Sequence, residues 1–441
     1  MNQAFVRFPR GFLWGTATAA YQVEGNNTNS SWWQWEQQPG RILNDDKSGL
    51  ACDWWNGRWK EDLDRAAETS QNAHRLSVEW SRVQPEPDRW DELAIERYRS
   101  IMRGLRERGL MAMVTLHHFS NPIWLEEQGG WENPETPLKF AAFVRKIGEA
   151  LKEYVSYWVT INEPNVFTYT GYLEGKFPPG KKDFNAAMHV MENMVRGHAL
   201  AYHALHEIQP EARVGLSIHY RSFKPASSSP LDRFVARIQS AIFNDLFPRA
   251  AKDGKIRFLY RSINVPEAAH TQDFLGVNYY SRDLVSFDIT RAPALFGRLR
   301  YPENADLSEN GFIANEPEGF FESLKWGLQY EVPMLVTENG VEDLEDKMRP
   351  RYIAQHIHQL WRAVNFNWPI KGYFHWSLVD NFEWERGWTM RFGLWGLNVD
   401  TQERIRRKSV DLFADICKEN GLSSEMVQKY CPEVLQNIFP D

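Results

Sequence analysis

Two glutamates stand in closely similar surroundings, and their side chains could together perform acid–base and nucleophilic chemistry. Glu163 lies in the segment TINEP and Glu338 in VTENG, so each has a threonine and an asparagine close by and a proline or glycine after it. The neighbouring asparagine supplies an amide that can bind a hydroxyl group or orient the acid. Two nearby carboxyl groups disfavour each other's ionisation, which keeps one protonated near neutral pH. Glycoside hydrolysis needs such a pair: one acid that donates a proton and one carboxylate that attacks carbon or activates water.

Only a closed fold can bring these two glutamates together, because they lie far apart in the sequence. Short apolar runs rich in Val, Leu, Ile and aromatic residues alternate with longer amphipathic segments along the chain. Such runs are typical of fully buried parallel strands. The predicted strands are Phe12–Ala17, Ala73–Val78, Met111–His117, Tyr157–Ile161, Val214–His219, Phe274–Tyr279, Pro333–Thr337 and Gly372–Ser377.

The segments between these strands predict helices. Glu92–Arg108 has apolar residues at helical spacing and ends before Gly109, a plausible C-cap, while Pro137–Tyr154 and Ala186–Ile208 have a similar pattern. Eight strands with helices between them predict an α/β fold, a (β/α)8 TIM barrel with elaborated loops that form the pocket. We expect residues 1–441 to form a single domain of this kind.

In a barrel of this type the chemistry sits where strands run into their following loops, which leaves few of the 58 acidic residues as candidates. The acidic residues at predicted strand ends are Glu24, Glu79, Glu163, Glu338 and Glu383. A lone glutamate is more often an ion-pair or surface residue, so we expect Glu79 to be an ion-pair partner and Glu24 to be structural or to support the residues of the site. Two similar motifs at separate strand ends favour a catalytic interpretation for Glu163 and Glu338.

Together these motifs resemble those of glycoside hydrolase family 1, the β-glucosidases and their relatives. The resemblance extends over essentially the whole chain, from FPRGFLWGTATAAYQVEG to NFEWERGWTMRFGL. Its other landmarks are HRLSVEWSR, TLHHFSNPIW, TINEPN, LGVNYYS, VTENG and HWSLVDNFEW. The resemblance implies a (β/α)8 barrel and a retaining β-glycosidase that removes terminal non-reducing β-D-glycosyl residues. The expected activity is that of a β-glucosidase, with β-galactosidase and β-fucosidase activity beside it, and with no cofactor and no metal.

By motif, the resemblance assigns Glu163 as general acid/base and Glu338 as nucleophile. Arg75 and Tyr280 are expected to contact Glu338 and favour its ionised state, with Asn278 in the same hydrogen-bond network. Asn162 is expected to bind the sugar 2-hydroxyl. The full set of expected sugar-binding residues is Gln22, His118, Asn162, Trp376, Glu383 and Trp384, with Trp376 as the apolar platform.

Three positions depart from the usual family pattern. Phe119 stands where many members have tryptophan, and Ser120 where many have aspartate. The segment Glu385–Trp388, ERGW, also differs from the more common small and acidic residues with tyrosine. These differences bear on sugar and aglycone preference and leave the reaction unchanged.

Several alternatives can be weighed against the same motifs. Phospho-glycosidases lack the glutamate that stands here as Glu383, whose charge would repel a 6-phosphate, and myrosinase-type members replace the acid/base glutamate by glutamine. A non-catalytic sugar-binding relative would usually have lost one of the two catalytic glutamates. A relative that mainly transfers sugars to other acceptors shares the covalent intermediate, so the motifs leave it open.

The composition limits the possible partners. The formal net charge is −7 and no long basic run occurs, which argues against nucleic acid as a partner. The three cysteines, Cys52, Cys417 and Cys431, have no metal-like spacing and favour a reducing compartment. We find no signal sequence or membrane span and expect a cytoplasmic protein that acts on small-molecule β-glycosides or short β-linked oligosaccharides, in an oligomeric state that the sequence does not predict.

Overall fold

A closed barrel of eight parallel strands forms the centre of the protein. The computed structural model describes residues 4–258, 261–291 and 295–440. The barrel strands are β1 (Leu13–Ala17), β2 (Ala73–Ser77), β3 (Met111–His117), β4 (Val155–Asn162), β5 (Arg213–His219), β6 (Phe274–Tyr279), β7 (Met334–Asn339) and β8 (Ile370–Trp376). Each strand pairs in parallel with the next along the chain, and β8 pairs with β1, which closes the barrel.

Helices surround the barrel, one after each strand. They are α1 (Trp59–Glu68), α2 (Glu92–Glu107), α3 (Thr136–Leu151), α4 (Phe184–Ile208), α5 (Leu246–Asp253), α6 (Pro317–Gly327), α7 (Arg349–Asn365) and α8 (Lys408–Glu419). Helix α2 shows why these segments are helical: the Asp91 side chain accepts hydrogen bonds from the first free backbone N–H groups, of Leu93 and Ala94. Gly109, just beyond its end, has a φ of 70°, in the left-handed region that favours glycine after a helix.

Shorter elements fill the loops that follow the strands. The additional α-helices are Ala20–Glu24, Ser31–Glu36, Trp80–Val83, Ile123–Glu127, Pro164–Thr168, Pro230–Phe243, Ser424–Tyr430 and Leu435–Ile438. Ser222–Pro225, Arg282–Phe287 and Gly297–Arg300 form a three-stranded sheet in the loops after β5 and β6. The two-stranded sheets pair Phe5–Arg7 with Gly421–Ser423, Lys255–Phe258 with Arg261–Asn264, and Trp395–Leu397 with Arg404–Arg406. The predicted barrel with elaborated loops is therefore confirmed.

The carboxyl ends of β4 and β7 extend beyond the predicted bounds, by one residue and by two, because polar residues continue each strand. In β7, Glu338 and Asn339 pair with Asn278 and Tyr279 of β6 after a shift in register. A polar segment can remain in a strand here because its side chains bond to one another at the open end of the barrel. Glu338 is thus part of barrel strand β7, and Glu163 directly follows the last residue of β4.

Core packing accounts for most of the tryptophans. Trp14, Trp32, Trp80, Trp131 and Trp158 are fully buried between the barrel, its helices and the loops. Within the described residues, no helix combines the length and the apolar character that crossing a membrane requires.

Candidate active site

Glu163 stands at the point where β4 turns sharply into a short helix. Its φ of 43° lies in the left-handed region, which is uncommon for a residue other than glycine, and Pro164 begins the helix directly after it. The backbone N–H of Glu163 donates to the Ser217 carbonyl of β5 at 2.8 Å, which holds the turn against the barrel. A left-handed residue costs free energy that the surrounding structure must offset, so this conformation indicates a position constrained for function.

The polar contacts of the Glu163 carboxyl group are on one oxygen. The Asn278 side-chain amide donates to Oε1 at 2.7 Å, and Nδ1 of His219 lies 3.3 Å from the same atom. The side chain is 7% exposed. Among the described residues no hydrogen bond reaches the other oxygen, Oε2, so this atom is left for a bound ligand.

Glu338 is held differently, because both of its oxygens have strong donors. Arg75 Nη1 donates to Oε1 at 2.6 Å, and the Tyr280 hydroxyl donates to Oε2 at 2.6 Å. Burial raises the pKa of Glu338 to about 7; Arg75 and Tyr280 lower it, and the charge of Glu163 raises it. The electrostatic coupling of the two carboxyls is what the similar motifs predicted. Gly340 lies two residues after Glu338. A side chain has no room there, because a Cβ would lie 1.9 Å from the Trp376 carbonyl oxygen.

A network of buried side chains links the two glutamates. Arg75 Nη2 donates to Asn162 Oδ1 at 2.6 Å, and Asn278 Nδ2 lies 3.2 Å from the same oxygen while it donates to Glu163. Asn278 Oδ1 in turn accepts from the Thr337 hydroxyl at 2.6 Å. Every member is bonded, so the network fixes the relative positions of both carboxyl groups.

His118 completes this network on the side of the pocket. Because Arg75 fixes Oδ1 of Asn162, the amide Nδ2 faces His118 Nε2 at 3.1 Å, and that ring nitrogen must accept. Nδ1 therefore carries the proton in the neutral ring, and among the described residues it has no hydrogen-bond partner. Burial lowers the pKa of His118 well below its usual value, and Arg75 and His117 lower it further.

Gln22 and Glu383 are in contact and form a second polar group in the site. The Gln22 side-chain amide donates to Glu383 Oε2 at 3.2 Å, to the Phe382 carbonyl at 2.8 Å and to Asn381 Oδ1 at 3.0 Å. Its buried Oε1 is left without a partner among the described residues. Burial raises the pKa of Glu383 well above its usual value, and the charges of Glu385, Glu338 and Glu163 add to this.

Aromatic rings pack beside these polar groups. The His118 ring lies parallel to Trp376, at 6.0 Å between centroids, and to Trp384, at 5.9 Å. Phe119 packs edge-on against Trp384 at 5.2 Å and has a φ of 66°. Flat apolar surface next to unpaired polar atoms is the combination that binds a sugar ring, whose C–H faces are apolar and whose edges carry hydroxyls.

The comparison with known proteins bears directly on this arrangement. The family model described as Glycosyl hydrolase family 1 matches residues 5–422. The chain belongs to glycosyl hydrolase family 1. The family predicted from the motifs is therefore confirmed, and with it the class of enzyme, a glycoside hydrolase.

Relatives of known activity cover the family 1 chain from end to end. A 1,4-beta-D-glucan glucohydrolase from Thermotoga neapolitana is 33% identical, over 95% of this chain and 99% of the relative. Beta-glucosidase A from Thermotoga maritima is 34% identical over 94% and 99%, and a beta-galactosidase from Pyrococcus woesei is 31% identical over 96% and 99%.

Solved structures of family 1 enzymes have the same fold. A beta-glycosidase from Pyrococcus horikoshii superimposes with a TM-score of 0.91 at 33% identity, covering 97% of this chain and 98% of that one. The beta-glucosidase from Thermotoga maritima in complex with glucoimidazole gives 0.88 at 32% identity, covering 94% and 100%.

Two contacts of this family 1 site were not anticipated from the sequence. His219 is the last residue of β5 and lies against Glu163. It was not predicted, because only acidic residues at strand ends were taken as candidates. Glu79, expected in an ion pair, accepts hydrogen bonds from Ser120 and Ser81, each at 2.8 Å. The ion pair of that region joins Arg82 to Glu24 at 2.7 Å, so Glu24 is structural as expected.

Proposed function

We propose that this protein is a retaining β-glycosidase in which Glu338 is the nucleophile and Glu163 the general acid/base. The observation that carries the assignment is the unequal support of the two carboxyls. Glu338 has the Arg75 cation at 2.6 Å and the Tyr280 hydroxyl at 2.6 Å, whereas the amide of Asn278 is the strongest donor to Glu163. If one proton is shared by the pair, the carboxyl beside the cation is the one that ionises, and the proton stays on Glu163.

The reaction then proceeds in two displacements. Glu338 attacks the anomeric carbon while Glu163 gives its proton to the leaving oxygen, and the glycosidic C–O bond breaks. Glycosylation removes the negative charge of Glu338, so the ionised Glu163 loses its repelling neighbour. Glu163 then takes a proton from water while the water oxygen attacks the anomeric carbon. The bond to Glu338 breaks, and the sugar leaves with its original anomeric configuration.

The polar walls support binding of one terminal β-D-glycosyl residue. Gln22 Oε1 and His118 Nδ1 are buried hydrogen-bonding atoms without partners among the described residues, and a sugar hydroxyl can satisfy each of them. Glu383 accepts hydrogen bonds from hydroxyls, which favour its ionised form against its buried surroundings. A carboxylate can accept from either orientation of the 4-hydroxyl, which supports activity on both gluco- and galacto-configured substrates.

A phosphorylated sugar is a poor fit to the same pocket. Glu383, Glu338 and Glu163 already disfavour one another's negative charge, and burial adds to this effect. A 6-phosphate beside Glu383 would bring further negative charge into this region. The preferred substrates are therefore uncharged β-glycosides or short β-linked oligosaccharides.

Trapping of the covalent intermediate tests the assignment. A dinitrophenyl β-glucoside with fluorine in place of the 2-hydroxyl should inactivate the enzyme and add one fluoroglucosyl group to the peptide that contains Glu338. Glu338→Gln should prevent labelling, while Glu342→Gln, a change at a buried glutamate of the following loop, should leave it intact. A label on any other carboxylate would show that the nucleophile is wrongly assigned.

We propose further that the protein is cytoplasmic and works as one domain. Cys52, Cys417 and Cys431 are buried free thiols, as expected in a reducing compartment. The pairing of Phe5–Arg7 with Gly421–Ser423 ties the two ends of the described chain together. Fractionation of the source cells and a single cooperative unfolding transition would support these two proposals, and recovery outside the cytoplasm or two transitions would contradict them.

A further inference from the structure

His219 contacts Glu163 and also the tyrosine that bonds to Glu338. Its Nδ1 lies 3.3 Å from Glu163 Oε1, and its ring is stacked on the ring of Tyr280 at 5.6 Å between centroids. The Tyr280 hydroxyl donates to Glu338, and the Phe243 ring packs nearly perpendicular to the imidazole at 6.0 Å between centroids. The two aromatic neighbours fix the ring plane, so the direction of Nδ1 toward Glu163 is set by packing.

The two oxygens of Glu163 are not equivalent. Asn278 and His219 both contact Oε1, and within the described part of the chain no hydrogen bond reaches Oε2. Oε2 is therefore the atom that is free to carry a proton to a ligand. Oε1 is the atom at which the protein stabilises whatever negative charge the carboxyl group acquires.

We propose that His219 is a positioning residue for the acid/base, and that its Nδ1–H donates to Glu163 Oε1 during the reaction; this inference rests on the function proposed above. When the glycosidic C–O bond breaks, the proton on Oε2 moves to the leaving oxygen and the electron pair stays on the carboxylate. The His219 and Asn278 donors then stabilise this carboxylate. In the second step Glu163 takes a proton from the attacking water, and the two donors keep Oε2 directed into the pocket.

Other charged and titratable groups face this pair. Glu338 and Glu383 lie near enough for their charges to act on Tyr280, Tyr280 packs against the imidazole, and Arg75 reaches the same network through Asn162. Burial raises the pKa of Tyr280 well above its usual value, and the charge of Glu338 raises it further, so Tyr280 stays neutral. Donation from His219 Nδ1 to Glu163 Oε1 is the feature that the proposal requires.

Two substitutions separate the hydrogen bond from the ring. His219→Phe keeps an aromatic ring against Tyr280 and removes the donor, whereas His219→Asn places an amide N–H where Nδ1 stood. The phenylalanine variant should lose about threefold to tenfold in kcat/KM on phenyl β-glucoside, because charge on Glu163 is less well stabilised. Its kcat/KM on a dinitrophenyl β-glucoside should be unchanged, since that leaving group needs no proton.

The pH profile and the rescue by asparagine complete the test. In the phenylalanine variant the basic limb of kcat/KM should move to higher pH by about half a unit to one unit, because the carboxylate has lost a donor. His219→Asn should restore both the rate and the position of the limb. An asparagine variant as impaired as the phenylalanine variant, or an equal loss on both substrates, would overturn the proposal.

Glu163→Ala, measured beside these variants, shows which proposal fails. If Glu163→Ala loses phenyl β-glucoside activity selectively and His219→Phe does not, His219 has no positioning role while the function of Glu163 stands. If Glu163→Ala itself shows no dependence on the leaving group, the acid/base assignment fails and the inference about His219 falls with it.

Discussion

Arg75 and Glu338 form an ion pair of 2.6 Å in which the side chains are 1% and 5% exposed. The guanidinium also donates to Asn162, to the Thr337 carbonyl and to the Thr115 hydroxyl, so its position is fixed from several sides. A rigid buried cation beside a buried carboxylate offsets much of the desolvation of the carboxylate. The ionisation of the proposed nucleophile therefore depends on Arg75.

Arg75→Gln should move the acidic limb of the kcat/KM profile to higher pH. Glu338 must be ionised to attack, so activity is lost as pH falls through its pKa, and loss of the cation raises that pKa further. We also expect kcat/KM at the optimum to fall on the order of a hundredfold. Arg82→Gln is the matched control, because it breaks the buried pair with Glu24 and should leave the acidic limb in place. An unmoved acidic limb in Arg75→Gln would contradict this account of Glu338.

Azide should give opposite products in the two glutamate variants. In Glu338→Ala, azide occupies the place of the nucleophile and attacks an activated β-glucoside once, which yields the α-glycosyl azide. In Glu163→Ala, Glu338 still forms the covalent intermediate and azide attacks from the other face, which yields the β-glycosyl azide. Identification of the anomers by NMR decides the roles, and loss of folding cannot imitate the result. Exchanged anomers would mean exchanged roles.

The enzyme should accept β-glucosides, β-galactosides and β-fucosides. Glu383 can receive a hydrogen bond from either 4-hydroxyl orientation, and a missing 6-hydroxyl removes only one of its donors. kcat/KM measured with the three nitrophenyl glycosides and with a 6-phosphorylated glucoside checks this. Rejection of all but one sugar, or a preference for the phosphorylated one, would show that Glu383 does not have this role.

Glu342 should make the stability of the protein depend on pH. Burial raises its pKa to about 7, and Asp343 raises it further, against the hydrogen bond from Ser308. In the unfolded chain, Glu342 ionises near the usual glutamate pKa. Its raised pKa therefore stabilises the folded state fully below that value, and this stabilisation, about 3 kcal/mol, is lost as pH rises toward 7.

Glu342→Gln removes that titration. Between about pH 5 and 8, the Tm of the variant should rise by a few degrees relative to that of the natural protein. Glu68→Gln, at an exposed position, is the control and should give no such trend. Parallel Tm curves for Glu342→Gln and the natural protein would show that this carboxyl is ionised in the folded state.

The strands were predictable because parallel strands buried on both faces leave continuous apolar runs in the sequence. The bounds of β3 and β6 agree with the prediction. The polar end of β7 was not predictable from hydrophobicity, since Glu338 and Asn339 are stabilised there by hydrogen bonds from Tyr280, which follows β6, and from Tyr373 of β8.

The candidate site divides in the same way. Glu163 and Glu338 carry their signal in the adjacent residues, so local motifs are enough to find them. The contacts of Ser120 with Glu79 and of His219 with Glu163 join distant parts of the chain. No local pattern records such pairs, and only the closed barrel brings them together.

The pairing of β1 with β8 also determines when the barrel can be completed during synthesis. Its partners, Leu13–Ala17 and Gly372–Trp376, lie at opposite ends of the chain. At the usual rate of translation, β1 waits roughly 20 to 70 seconds for β8 to leave the ribosome. During that time one edge of the growing sheet has no neighbour and is open to pairing with other chains. Conditions that slow translation late in the message therefore lengthen the period in which the nascent enzyme is prone to aggregation.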